Sequence, residues 1–599
     1  MHFLVCHLFS APLTQPQASL GSGGGAGTGE GAQAEARGVD QLDHAAERDS
    51  LLHTLREANK RVAFFSEHAE VGTFRRVVGG LPRQPRLLHF TGHGVYGSLA
   101  LEDGQGRLVF ASRSAILEMA SGGGAAQLVL VFLSSCFSES VADAFVSAGV
   151  PHVVAVSRST QIPDKKAQEF AHSFYAALLR GDTVRQAFAL ARDRLDVAGG
   201  GDGYSGYGAK FRLLPEDGDH LERPLAGLPD GAHENVSRPV APSSCDGVAE
   251  HFLGRAAAVQ RLFALMVGGR RRVAVVGERG IGKTQICLAA CEYERARGVF
   301  GETFFCRLDA AAGGDARYFL RAGLGMTEPL PSGAAAAAAA MAAWFERRAA
   351  AAAAVLTAAN SERNALLGVA GEGEADYDCN SGSSGGSSGG GGASAMAEQE
   401  SQFSYDVWSG ADEAVGGSSG MAGESGRSAS ALVVEAAGVR EMALRLLLVL
   451  DGASPSILLG NERCSLEDFV LSLLDRCPYL SVLRTSTVTA DAASAATAAA
   501  AAAVAARSGS RASHPSSFGL SNAGAAPPSA VAAAAAAAVM ATAAAARAAA
   551  MAADTEEAVV PLEPLDAYST AELFWRSSPR LLKMNEIVGV RGAAEAAAA

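Results

Sequence analysis

The chain has no C-x-x-C pair and no repeated cysteine spacing; its nine cysteines are scattered. An odd, dispersed set in a long chain is not a disulfide framework, so it points to a reducing, intracellular setting and a cytoplasmic location. Positive charge is in deficit, with 50 Lys and Arg against 63 Asp and Glu, a net charge of −13 and an isoelectric point near 5.5. No general basic field is left to hold a phosphate backbone, which removes nucleic acid as a default partner. Nor does any run reach the ~20 apolar residues other than alanine that a membrane-spanning helix needs. The opening MHFLVCHLFSA lacks Lys or Arg ahead of its short apolar stretch, so it reads as a first buried strand rather than a secretion signal.

What is abundant overstates the folded mass. At roughly 150 residues per domain the length suggests about four domains, and 48% of the 599 residues are hydrophobic. Yet 68 are glycine, and much of the apolar fraction is alanine in runs at 334–340, 497–506 and 531–538, which buries little area per residue. Low-complexity stretches near 18–37, 331–430 and 489–555 lack the large side chains that offset chain-ordering entropy, so they read as disordered insertions, the alanine tracts retaining helical propensity. Composition gives these tracts no function. Two blocks remain, joined by a Pro/Gly/Ser linker at 223–249.

Both blocks read as α/β. In the first, 1–222, apolar runs at Phe3–Leu8, Arg61–Ser66, Leu87–Phe90, Leu128–Leu133 and Val153–Val156 alternate with helical patterns at Ala45–Ala58, Val71–Val78, Asp164–Leu179 and Thr183–Leu195. Continuous apolar strands separated by helices predict a mostly parallel sheet covered on both faces. The second block falls into pieces at 250–330, 431–488 and 556–592, followed by a tail at 593–599. Its strands are Arg272–Val276, Thr303–Leu308 and Leu446–Leu450.

The most specific motif is Gly277-Glu278-Arg279-Gly280-Ile281-Gly282-Lys283-Thr284, a complete G-x-x-x-x-G-K-[ST] after a strand and opening a helix. Glycine lets successive N–H groups turn inward on phosphates, Lys283 reaches terminal phosphate oxygens, and the Thr284 hydroxyl can ligate Mg²⁺. Asp451, ending the apolar run Leu446–Leu450, supplies a metal-side carboxylate. ATP or ADP with Mg²⁺ is the expected cofactor.

This block resembles the NB-ARC-like branch of the STAND nucleotide switches. Phe252-Leu253-Gly254-Arg255 is similar to the family's F-x-G-R box, the stretch Cys477–Ser486 to its sensor strand, and Val560–Leu565 with Ala571–Phe574 to its closing strand and helix. Thr487 stands where the family's arginine follows the Thr-Ser pair, Arg484 precedes it, and Gly452 occupies the place of a second acid. The resemblance therefore implies nucleotide holding with slow or absent hydrolysis. The family's winged-helix region has no counterpart before Ala599, which makes the module look incomplete there.

In the first block, Leu88-His89-Phe90-Thr91-Gly92-His93-Gly94 and Phe132-Leu133-Ser134-Ser135-Cys136-Phe137-Ser138 each end a strand. Carboxyl ends of adjacent parallel strands are where open sheets bind ligands. A histidine beside a cysteine there is the minimal thiol nucleophile, and the Gly94 and Cys136 N–H groups could stabilise an oxyanion. His89 is the rival base; its place inside the apolar strand favours His93.

The paired boxes and their flanks, among them Ala148–Ala155, Gly181–Val184, Ala191-Arg192 and Lys210–Leu214, resemble the CHAT domain, a caspase-like cysteine peptidase fold. The resemblance implies His93 as general base and Cys136 as nucleophile. It makes the fold class a caspase-like α/β sandwich plus a P-loop NTPase α/β domain, with a protein substrate and self-association on activation. A non-catalytic scaffold and a plain ATPase are the other readings.

Overall fold

The computed structural model describes residues 3–15, 37–80, 85–121, 124–197, 206–308, 316–366, 445–453, 458–459, 464–487 and 557–577. The tract near 18–37 lies outside them apart from its last residue, as do those at 367–430 and 489–555 and the tail. Among the described residues no helix is long and apolar enough to cross a membrane.

The first block forms β1 (Leu4–Phe9), β2 (Thr14–Gln15), β3 (Arg37–Gly38), β4 (Ala63–His68), β5 (Arg86–Thr91), β6 (Gly94–Val95), β7 (Ser98–Glu102), β8 (Leu108–Ser112), β9 (Leu128–Ser134), β10 (Val153–Val156), β11 (Phe211–Leu214) and β12 (Glu234–Asn235). Its helices are α1 (His44–Ala58), α2 (Val71–Arg75), α3 (Arg113–Ala120), α4 (Glu139–Ser147), α5 (Asp164–Leu179) and α6 (Val184–Val197). Seven strands make one sheet in the order β11-β10-β9-β5-β1-β4-β12, parallel except for β11. Every residue of β1 and β5 is buried, because helices cover both faces. Phe74, Ile116, Met119 and Phe145 from α2, α3 and α4 fill one side; Leu51, Leu55, Phe170, Phe174 and Phe188 from α1, α5 and α6 fill the other. Fully burying each such side chain stabilises the fold by about 1.5–3 kcal/mol. The helix expected over Val71–Val78 ends at Arg75 and runs on as a π-turn through Gly80.

A second sheet carries the other motifs. Its strands are β13 (Arg272–Gly277), β14 (Glu302–Arg307), β15 (Leu446–Asp451), β18 (Leu480–Thr487) and β19 (Ala558–Pro561), ordered β14-β15-β18-β13-β19 and all parallel; β16 (Leu458–Leu459) and β17 (Cys464–Ser465) form a separate short hairpin. Helices α7 (Ala256–Val267) and α8 (Lys283–Arg297) cover one face with Phe263, Met266, Ile286 and Leu288. The other face is covered by α9 (Ala316–Leu324), α10 (Ala334–Leu366) and the helix Leu466–Arg476. The molecule is mixed α/β with sheets rich in parallel pairing, as the strand spacing requires.

Two segments depart from the sequence reading. The alanine tract expected at the start of a disordered insertion is instead the helix α10, which buries Ala337, Ala338, Met341 and Phe345 against the second sheet. Phe345 and Trp344 meet Phe304 edge to face, so a few large side chains convert helical propensity into a packed helix. The stretch 223–249, expected as a linker, adds β12 to the edge of the first sheet, and Ser244 donates its N–H to the Thr303 carbonyl on the edge of the second. It is strapped to both sheets.

Candidate functional site

The His93 and Cys136 turns leave β5 and β9, which are neighbours in register, with Thr91 opposite Ser134. The Gly92 N–H donates to the Ser134 carbonyl at 3.2 Å, tying one turn to the other. Gly94 lies so close to the cysteine turn that a Cβ there would collide with the Cys136 carbonyl oxygen and the Ser135 hydroxyl. Glycine is required at that position by the close approach.

Each side chain has a definite partner. His93 Nε2 donates to the Asp40 main-chain carbonyl at 2.7 Å. A carbonyl only accepts, so this contact places the proton on Nε2 and leaves Nδ1 of a neutral ring as the basic lone pair. The half-buried Cys136 thiol points toward the Ile162 carbonyl, with Sγ 3.9 Å from the oxygen. Phe137, next in the chain, has φ of +58°, a left-handed conformation that costs free energy in a bulky residue and turns the strand end sharply into α4. Ser138 fixes that turn, its hydroxyl accepting the Val156 N–H at 3.0 Å. Burial raises Glu139's carboxyl, but hydrogen bonds from the Arg158 main chain and guanidinium outweigh it and hold the group below its ordinary value.

His89 is not in this site. Its ring is fully buried, with Nε2 2.8 Å from Glu47 and Nδ1 2.9 Å from the Tyr175 hydroxyl. Both nitrogens are occupied by structural partners, in keeping with its place inside the apolar strand.

The second constellation is assembled around the turn after β13. Gly280 and Gly282 have φ of +84° and +98° with open space where a Cβ would stand, so the loop presents main chain rather than side chains. Lys283 Nζ donates to the carbonyls of Gly277 and Glu278 at 3.0 and 2.7 Å. Burial lowers its pKa while Asp451 acts in the opposite direction. Thr284 Oγ1 donates to the Asp451 carboxylate at 2.8 and 3.0 Å, bringing together two residues 167 apart in sequence. The hydroxyl and carboxylate form a hard oxygen pair that suits Mg²⁺. Among the described residues no cluster of three or more His, Cys, Asp or Glu forms a protein-only metal site.

Phe252-Leu253-Gly254-Arg255 packs beside this loop. Arg255 donates to the carbonyls of Ile281 at 3.2 Å and Glu563 at 2.7 Å, clamping the loop to the segment after β19. Gly254 has φ of +70°, and a Cβ there would strike Ser569. Phe252 rests on the apolar core beneath, and Leu253 is half-buried.

Sequence reasoning placed Thr485 and Arg484 on the sensor strand without giving the Thr485 side chain a role, and it passed over Asp40. Thr485 Oγ1 donates to Asp451 at 2.7 Å and accepts the Gly452 N–H at 2.8 Å; it lies two positions before Thr487, and strand alternation was the signal. Arg484, on the opposite face of β18, pairs with Glu557 at 2.6 Å and so points away from Asp451. Asp40 acts through its main chain, which no side-chain motif reveals.

Fold and site together define the N-terminal portion as an α/β sandwich with a thiol and an imidazole on adjacent strand ends. Residues 9–203 match the family model described as the CHAT domain, a caspase-like, peptidase-related fold. No curated protein matches the chain.

Proposed function

We propose that this chain is a cysteine endopeptidase controlled by a STAND-type nucleotide switch. The observation that carries the peptidase reading is the His93 contact with Asp40, which leaves Nδ1 free as a base beside the Cys136 turn. In the proposed reaction, His93 takes the thiol proton and the Cys136 thiolate attacks the scissile carbonyl carbon. Gly94 and Cys136 N–H groups stabilise the oxyanion, each such donor being worth roughly 3 kcal/mol. His93 then returns the proton to the departing amine, and water hydrolyses the thioester to regenerate the thiol.

The Gly277–Thr284 loop, Phe252–Arg255 and Asp451 support the nucleotide half. ATP or ADP with Mg²⁺ would supply the charge that distinguishes the two states of the switch. Gly277, Gly280 and Gly282 would offer main-chain N–H groups to phosphate, Lys283 its ammonium, and Thr284 with Asp451 the metal side. Gly452 stands in the place of the second acid that would orient a water, so tight holding with little turnover fits best. Self-association of the nucleotide module would bring peptidase domains together on a protein substrate, in the cytoplasm and without nucleic acid or membrane.

Two experiments test this. Purified protein should carry ADP that is lost in Lys283→Ala; a nucleotide-free wild type overturns the switch. A peptide library incubated with nucleotide should be cut by wild type and not by Cys136→Ala. The second reading, a scaffold that binds peptide without cutting, is favoured by one feature, the Cys136 thiol aimed at Ile162. Absence of cleavage in both proteins would select it.

A further inference from the structure

We infer that the module built on the second sheet positions His93, through a β-hairpin seated on α7, so that the state of the Gly277–Thr284 loop sets the reactivity of Cys136. The inference rests on the peptidase reading above and names its regulation.

The Asp40 carbonyl that accepts from His93 Nε2 belongs to the short segment between β3 and α1. Strand β3, just before it, pairs antiparallel with β2, and Val39 N–H donates to the Leu13 carbonyl at 3.1 Å. Gln41 closes the same hairpin, its side-chain amide donating to Pro12 at 2.8 Å and to Val39 at 3.2 Å. The hairpin is held on one side by the β7–β8 turn, where the Leu13 N–H donates to the Gly106 carbonyl at 2.9 Å, and on the other by the second module. Leu13 packs against the core that contains Phe263, Val273 and Ile286. Gly38 approaches α7 so closely that a Cβ would stand 3.2 Å from the Ala256 Cβ.

Ala256 follows Arg255, whose guanidinium holds the Ile281 carbonyl inside the glycine-rich loop. The path is therefore short and contiguous: loop, Arg255, Ala256, Gly38, Asp40, His93. A second path reaches the same histidine from its other end. Helix α8 begins at the loop and ends at Arg297, which holds Glu102 at the end of β7; in that strand the Ala100 N–H donates to the His93 carbonyl at 3.0 Å. One path fixes the ring of His93 and the other its main chain, and both start at the loop. A ligand that favours one arrangement of the loop over another therefore biases the imidazole.

Iodoacetamide alkylation of Cys136 in the full chain, followed by mass spectrometry across a pH series, tests this. His93→Ala should slow alkylation at neutral pH about tenfold, because the thiolate is the reacting species and the variant lacks the imidazole that takes its proton. Gly38→Val, which wedges the hairpin off α7 without touching the dyad, should approach the His93→Ala rate and pH profile. Gly38→Val with Ala256→Gly should restore wild type. Exchanging the bound ADP for ATP with Mg²⁺ should change the wild-type rate and leave Gly38→Val unmoved. A wild-type rate in Gly38→Val, or a loss that Ala256→Gly does not rescue, overturns the inference, as does a wild-type rate that the exchange leaves unchanged. If His93→Ala itself reacts like wild type, the peptidase reading fails instead.

Discussion

Arg297, in the last turn of α8, donates to the Glu102 carboxylate at 2.7 Å while both side chains are buried, and its guanidinium carbon lies 3.3 Å above the Tyr293 ring. The contact spans 195 residues and joins the helix after the glycine-rich loop to the strand after the His93 turn. Glu102 also accepts the Ala11 N–H at 2.7 Å, so the carboxylate is compensated from both sides.

Removing one partner strands a buried charge. Arg297→Met should destabilise the protein by about 3–5 kcal/mol in chemical unfolding, and Arg297→Met with Glu102→Met should recover at least half of that. Strictly additive losses would show that the pair is not coupled.

Glu294 gives a pH dependence. Burial pushes its carboxyl up to about 8, against the lowering effect of the Thr303 hydroxyl. The folded protein therefore binds a proton that the unfolded chain releases in the ordinary carboxylate range. Stability from this group is present below that range and lost as pH rises toward about 8. Glu294→Gln, which mimics the neutral acid, should match wild type below the ordinary carboxylate range and increasingly exceed its melting temperature as pH rises toward about 8. A constant difference at all pH values would refute the assignment.

Thr485 orients Asp451 without touching a ligand in the proposed site. Thr485→Val should weaken Mg²⁺-dependent nucleotide binding about tenfold, the usual effect of removing an outer hydrogen-bond partner of a metal ligand. Calorimetry with and without Mg²⁺ makes the comparison. Equal weakening in both conditions would mean that Thr485 acts on the fold rather than on the carboxylate.

Helix α10 should be integral to the second sheet. Phe345→Ala removes a fully buried ring and should cost about 3–5 kcal/mol. By contrast, Val355, 67% exposed on the same helix, should tolerate alanine with no measurable change in unfolding. Equal effects would contradict the packing of this face.

Much of the fold was legible because buried parallel strands are dense in Val, Leu and Phe. The runs at Leu128–Leu133 and Leu446–Leu450 lie within β9 and β15 with a residue to spare, and the helix Asp164–Leu179 coincides with α5. The small sheet β6-β7-β8 was missed: its strands are short, and Val95, Tyr96, Val109 and Phe110 break the inside-outside pattern by being exposed. Alanine misled in α10, where its helical propensity is fixed by a few large neighbours.

The sequence by itself marked the candidate residues of both proposed sites. Glycines at 277, 280 and 282, Lys283 and Thr284, and the paired His93 and Cys136 boxes are local patterns, because the backbone conformations and functional groups they need are encoded within a few positions. Only the tertiary structure decided which groups orient them. The Asp40 carbonyl, the Thr485 hydroxyl, and the Arg297–Glu102 pair act across long sequence separations. Main-chain carbonyls carry no residue signature, and a buried ion pair is defined only when two distant elements exclude water together.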